Sequence, residues 1–347
     1  MTNLWLLISC GEVFGISYVL ALKTVLLIKK KGYPFIPVLI GSRFWLDFLS
    51  KHYGFKVSSL VVDSELINKI QHLSLLENKY LLLNVEKSTK INKSYIKKNH
   101  PKIVCDTLSS TLKFIKDFVN SNEKFAVITM PLAKNTVSKV FHNFVGHTEY
   151  LSEEFNLNKD DVAMLMRGKD QEGIIYNVLL LTRHVSLKDV VKKLYRVNVF
   201  NQVKNVVEFI NKYEKNKIQK IIFGNINPHG GDEGVIGKEE KEIVLKNMYN
   251  ISKKLKIKVQ LVNNIADAFR YVKSTKQNIL IVTTYHDQGM TPLKLICGYK
   301  IVNITVGLPF LRVSPGHGVA ADLLFSKNID FSGVELCIET ICRFFGI

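Results

Sequence analysis

Three apolar runs that each deliver a histidine constrain this chain more than anything else in it. Residues 278–284 (NILIVTT) lead to His286, residues 176–183 (YNVLLLTR) to His184, and residues 219–227 (QKIIFGNIN) to Pro228 and His229. The runs are rich in β-branched side chains and lack polar alternation, the pattern of strands covered on both faces in a parallel sheet. In such a sheet the strands' carboxyl edge is where ligands bind, because the departing loops carry function while the strands stay packed. A single histidine there would read as a structural residue. Three neutral imidazoles converging on one edge suit zinc, cobalt, nickel or iron, and three protein ligands leave a position open for substrate.

The segment following the first of these runs, residues 285–322, holds the densest set of polar anchors. Lys294, Asn303 and Arg312 occur in order, separated by Gly289, Gly307, Pro309, Gly316 and Gly318. Two cations and an amide on loops shaped by glycine and proline suit a small phosphorylated or carboxylated ligand. No G-x-G-x-x-G follows a strand and no phosphate-binding P-loop is present, so any dinucleotide must be held otherwise.

At 347 residues, 47% of them hydrophobic, the chain is long enough for two α/β domains with ample core. Its formal charge of +18 comes mainly from lysines spread over the whole length. Such a surface attracts anionic substrates and cofactors. It binds nucleic acid only non-specifically, because no nucleic-acid-binding motif accompanies it. Five scattered cysteines, Cys10, Cys105, Cys297, Cys337 and Cys342, read as reduced core residues of a cytoplasmic protein. The LWLLISC run ending at Cys10 lacks preceding positive charge and is short, so strand, turn and helix explain it better than a signal or membrane segment.

In chain order, strands are expected at 4–9, 37–40, 56–62, 81–84, 124–130, 160–167 and 257–262, besides the three histidine strands. Helices are expected at 16–31, 43–52, 105–120, 202–213, 237–255, 266–272 and 332–345, with one capped by Ser186 running to Leu194. The lysine-rich stretch 87–100 reads as a surface connection.

Four phrases in order, GHTEYL (146–151), NPHGGDEGVIGKEE (227–240), YHDQGM-P-K (285–294) and VNITVGLPFLRVS-GHG (302–318), resemble the signature segments of the 4-hydroxythreonine-4-phosphate dehydrogenase family. The resemblance implies two α/β/α domains with an active-site cleft between them, similar to isocitrate and isopropylmalate dehydrogenases. Residues 1–135 plus 295–347 would form one domain and 136–294 the other, which would carry the metal ligands and dimer contacts.

The implied reaction is metal-dependent, NAD- or NADP-linked oxidation of 4-phosphooxy-L-threonine, followed by decarboxylation to 3-amino-2-oxopropyl phosphate for pyridoxal phosphate synthesis. Carried over position by position, His184, His229 and His286 match the metal ligands. His147, Thr148, Lys294, Asn303 and Arg312 match the substrate contacts, and Gly307, Pro309, His317 and Asp322 lie in the cofactor loop. Zinc is the implied metal, with cobalt, magnesium or manganese as alternatives. A homodimer with shared active sites is implied, with neither a membrane nor a specific nucleic acid as partner. No general base is assigned.

The chain departs from the family pattern in its cofactor loops. Val13, Phe14 and Ser17 replace a proline, an alanine and a glycine of the first loop, and Met130 stands in the T-G-P phrase. Asp232 and Glu233 stand where glutamate and glycine are usual. Gly316 and Val319 alter the D-H-G-T-A phrase, and Leu324 and Phe325 replace small residues after Asp322. Oxidation of D-threonate or D-erythronate 4-phosphate is the nearest alternative, and a decayed basic binding protein a second. Hydrolysis is disfavoured, because the HGG at 229–231 has no G-x-S-x-G partner.

Overall fold

In a computed structural model of the chain, residues 4–62, 79–86, 88, 90–121, 123–142, 144–158 and 161–347 are described. Lys87 and Asp160, the first residues of two expected segments, lie outside them. The chain divides into two compact units, residues 1–151 with 309–341, and residues 152–308 with 342–347. Both are discontinuous; the sequence had set the divisions at 135/136 and 294/295.

The first unit carries β1 (Leu4–Ser9), β2 (Phe35–Gly41), β3 (Ser58–Val61), β4 (Lys79–Asn84), β5 (Phe125–Thr129) and β12 (Leu311–Pro315). They lie in the order β3-β4-β2-β1-β5-β12, and every neighbouring pair is parallel. β2 and β5 are buried along their whole length and β1 almost so, which is why they read as continuous apolar runs. The helix Ser17–Lys31 ends in three lysines and a left-handed Gly32, a cationic last turn and a glycine stop. Ser42 caps the helix Arg43–Tyr53 by accepting from the Trp45 amide at 3.0 Å.

The second unit orders β11 (Ile301–Val306), β6 (Ala163–Lys169), β7 (Ile175–Leu180), β10 (Ile279–Thr283), β8 (Lys220–Gly224) and β9 (Lys258–Val262) side by side. β11-β6-β7 pair antiparallel, while β7, β10, β8 and β9 run parallel. The three histidine runs therefore form three adjacent parallel strands. Their side chains, with Phe269, Met290 and Leu293 from the covering helices, form the core of this unit. At its periphery a buried Arg167 meets Glu214 and the Asn177 side chain, and Arg343 reaches the other oxygen of Glu214 at 3.0 Å.

Four expectations need correction. Residues 93–100 are no surface connection but the first turns of a 28-residue helix, Lys93–Asn120, capped by Asn92 and continuing through Pro101. Its lysines occupy the solvent side, so the stretch looks featureless in sequence. The region after His286 is a helix, His286–Cys297, despite Gly289 and Pro292. A Cβ at Gly289 would lie 2.8 Å from both Leu180 and Thr283, so glycine here serves close helix-to-strand packing and not a turn. Asn303 and Arg312 stand on strands, not on loops. Ser186 makes no side-chain cap; its hydroxyl goes to Asp189, and the chain passes through a 3-10 turn, Leu187–Asp189, before the short helix Val190–Leu194.

Candidate functional site

The loops bearing His184, His229 and His286 leave the same edge of the adjacent strands β7, β8 and β10. His286 opens the helix His286–Cys297, and its Nδ1 lies 2.9 Å from the Asp287 carboxylate. That contact occupies Nδ1 and leaves Nε2 available, the arrangement common where an imidazole ligates a metal. The rings of His184 and His286 stand 6.1 Å apart, centroid to centroid. Metal–nitrogen bonds of about 2 Å at tetrahedral angles bring two imidazole centroids to about 5 Å, so this pair is near that spacing but wider than it. His229 does not complete the set within the chain: among the described residues no group of three potential ligands is gathered closely enough to hold a metal.

Two of the histidines hold strained backbone, with φ of +47° at His184 and +55° at His229. His229 begins five consecutive left-handed residues, 229–233, that include the non-glycines Asp232 and Glu233. Buried Glu240 secures the base of this loop. One oxygen accepts from the amides of Ile226 (2.8 Å) and Asn227 (2.6 Å), and the other from the Asn227 side chain (2.9 Å). Beside it an open pocket of ≈ 520 Å³ is lined by Asn225, Pro228, Asn263, Tyr285, Asp287 and Gln288, chain neighbours of both His229 and His286 among them. Gln288 ties its floor together, accepting from the Thr284 amide at 2.8 Å and donating to the Asn225 carbonyl.

Lys294 is exposed, two helical turns or about 12 Å along the axis from His286. Asn303 lies opposite Met166 in the β11–β6 ladder, and its Oδ1 is buried without a hydrogen-bond partner. An orphaned buried acceptor invites a ligand donor. Gly307 follows β11 at φ +103°, a conformation suited to glycine, where an added Cβ would strike the Asp161 carbonyl at 2.5 Å.

The remaining substrate candidates belong to the first unit. Arg312 on β12 is 2% exposed, and its Nε donates to the Thr129 hydroxyl at 3.0 Å. Burial pulls its pKa down to about 10, which still leaves it a cation at neutral pH. His147 and Thr148 open the helix His147–Glu154, and Thr148 is buried. Burial first, and the Arg312 charge second, push the His147 pKa well below that of an ordinary imidazole, so the ring is neutral. Its Nε2 is buried and meets no hydrogen-bond partner. Pro309 and Asp322 are exposed, and Asp322 sits in the turn Ala321–Leu323 after the His317 segment. Sequence reasoning missed Thr129, Asp287 and Glu240, whose roles depend on partners found only in the fold.

The chain is 34% identical over 221 residues to a 4-hydroxythreonine-4-phosphate dehydrogenase of Sulfurihydrogenibium, a match covering 61% of this chain and 64% of that relative. It is 30% identical over 223 residues to a D-threonate 4-phosphate dehydrogenase of Pectobacterium atrosepticum, covering 63% of this chain and 64% of that protein. Both matches thus span a little under two thirds of the curated relatives. Among solved structures, a 4-hydroxythreonine-4-phosphate dehydrogenase from Klebsiella pneumoniae superimposes with a TM-score of 0.72 at 20% identity, covering 98% of this chain and 99% of that one, a likeness of fold. Residues 36–341 match the family described as pyridoxal phosphate biosynthetic protein PdxA, and the chain belongs to that family.

Proposed function

We propose that this protein oxidises the C3 hydroxyl of 4-phosphooxy-L-threonine with NAD or NADP, in a metal-dependent reaction whose keto acid product loses carbon dioxide to give 3-amino-2-oxopropyl phosphate for pyridoxal phosphate synthesis. The observation that supports this reading is the histidine edge of the second unit, where the loops after three adjacent parallel strands carry His184, His229 and His286 and the His184 and His286 rings lie 6.1 Å apart. When bound, the divalent ion would supply Lewis acidity to the C3 hydroxyl as it loses its proton, and the nicotinamide would take up the hydride from C3 itself. Arg312, a buried cation anchored by Thr129, is suited to the substrate's phosphate or carboxylate, and Lys294 adds a second positive charge. Neutral His147 and the amide of Asn303 each offer a buried, uncommitted polar atom for hydrogen bonding, and Thr148 a hydroxyl group. Gly307, Pro309, His317 and Asp322 are the residues we assign to the dinucleotide.

We also propose a homodimer in which two copies complete each metal set. Exposed apolar side chains flank the histidine loops: Leu187 beside His184, and Val235 and Ile236 beyond His229. A surface of this kind suits burial against a second copy.

The test is NADH formation by purified protein with 4-phosphooxy-L-threonine, with zinc and with a chelator. Zinc-dependent NADH supports the reading; folded, metal-loaded protein that forms none overturns it. The Pectobacterium relative's name favours a second reading, oxidation of D-threonate 4-phosphate, and the same assay with that substrate separates the two by kcat/KM.

A further inference from the structure

We propose that Phe325, buttressed edge-to-face by His52, is the stacking surface for the adenine ring of the dinucleotide. The proposal rests on the cofactor reading above and adds base-binding residues to it. Trp45, Phe48 and His52 fall at i, i+3 and i+7 on the helix Arg43–Tyr53 and so form one row along its side. Phe48 is stacked on Trp45 at 5.2 Å, and His52 on Phe48 at 6.4 Å. The row is closed at both ends by residues from the two altered loops. Phe14 meets Trp45 edge-on at 5.7 Å, while Phe325 meets Phe48 at 6.2 Å and His52 at 5.1 Å, both edge-to-face. The departures at Phe14 and Phe325 thus converge on a single helix.

The loops themselves are fixed. The Trp45 indole donates to the Val13 carbonyl at 2.8 Å, and the Ile16 amide to the Val319 carbonyl at 3.0 Å. A Cβ at Gly15 would lie 2.5 Å from that same carbonyl, so the two loops are in close contact. Phe325 holds φ +76°, a strained conformation for a bulky residue, and yet its side is 46% exposed. A phenylalanine needed only for packing would be buried in a relaxed conformation. Here a residue in a strained conformation leaves its aromatic ring half-exposed beside an exposed His52. The surroundings complement a nucleotide: Lys93 Nζ lies 4.2 Å from the Phe48 ring, a cation for phosphate, and the exposed Asp322 carboxylate lies three residues before Phe325, an acceptor for ribose hydroxyls. Aromatic side chains with a flanking cation are the general device for stacking nucleobases.

The test uses the full chain and measures binding, not turnover: NADH by fluorescence, AMP and nicotinamide mononucleotide by calorimetry, and thermal stability alongside. F325G should weaken NADH and AMP binding about tenfold while leaving nicotinamide mononucleotide unchanged, with Tm showing that the variant remains folded. F325W should retain the wild-type affinities, and H52A should weaken AMP in the same direction. Wild-type affinity for NADH and AMP in both F325G and H52A would overturn the stacking surface and leave the dinucleotide reading standing. Tighter NADH binding by F325G would overturn it too, and mark Phe325 as an obstruction. Wild-type protein that binds neither NADH nor AMP would overturn the dinucleotide reading, and the stacking surface with it.

Discussion

Arg312 on β12 lies opposite Val127 in register and reaches Thr129 two residues further along the neighbouring parallel strand β5, its guanidinium donating from both Nε and Nη2 to the one threonine hydroxyl. The hydroxyl sets the plane of the guanidinium, and a planar fork is useful to a phosphate or carboxylate only when its plane is set. T129V keeps the shape and removes the acceptor. Hydrogen bonds to charged groups are worth about 1.5–3 kcal/mol, so kcat/KM for the phosphorylated substrate should fall at least about tenfold, mostly through KM. T129S should restore it, and steady-state kinetics on both variants decide.

His147 sets a pH dependence of stability. Its pKa in the fold lies below the unfolded value, because burial and then Arg312 oppose its charge. As pH falls below about 6.5 the unfolded chain takes up a proton that the folded chain refuses, so stability declines with acid and is fully present above that pH. The slope from one such group is at most about 1.4 kcal/mol per pH unit. H147Q should lose less stability than wild type between pH 6.5 and 5, as measured by denaturant midpoints along the series.

Glu240 holds the entrance to the His229 loop through two backbone amides. E240A leaves both without this acceptor and should cost about 2 kcal/mol. It should also lower the bound-metal stoichiometry of purified protein, a readout that separates loss of the loop from general destabilisation when compared with a core variant of equal cost.

Glu233 sits at φ +56° within the left-handed run, and its backbone carbonyl accepts from Lys241 Nζ at 2.7 Å. E233G keeps that carbonyl and removes the Cβ penalty. A gain of about 1 kcal/mol in chemical denaturation is expected.

The strands carrying the histidines were legible because a strand buried on both faces leaves an unbroken apolar run, and β7, β8 and β10 are of this kind. Residues 93–100 were not, because a helix facing solvent with one side shows many lysines and little apolar period over two turns. Gly289 misled for another reason. Glycine normally punctuates turns, but here it permits tight packing inside a helix. Asn303 and Arg312 could be singled out as polar residues in an apolar setting, whereas Thr129 could not: 183 residues separate it from Arg312, and a threonine closing a strand is unremarkable. That three histidine-bearing loops leave one sheet edge was readable, but the distances among the histidines were not, since these depend on loops in left-handed conformations that no local pattern specifies.

The division of the chain bears on the order in which it can fold during synthesis. The first unit needs β12, and the second includes residues 342–347, where Arg343 joins the carboxylate that buried Arg167 requires. Neither can therefore be finished while residues 309–347 are still within the ribosome, although most of both has already emerged. At about 5–20 residues per second, the edge of β5 that β12 will cover waits for seconds in an unfinished state. Nascent chains of this protein are for that interval clients for whatever protects open sheet edges in the cell.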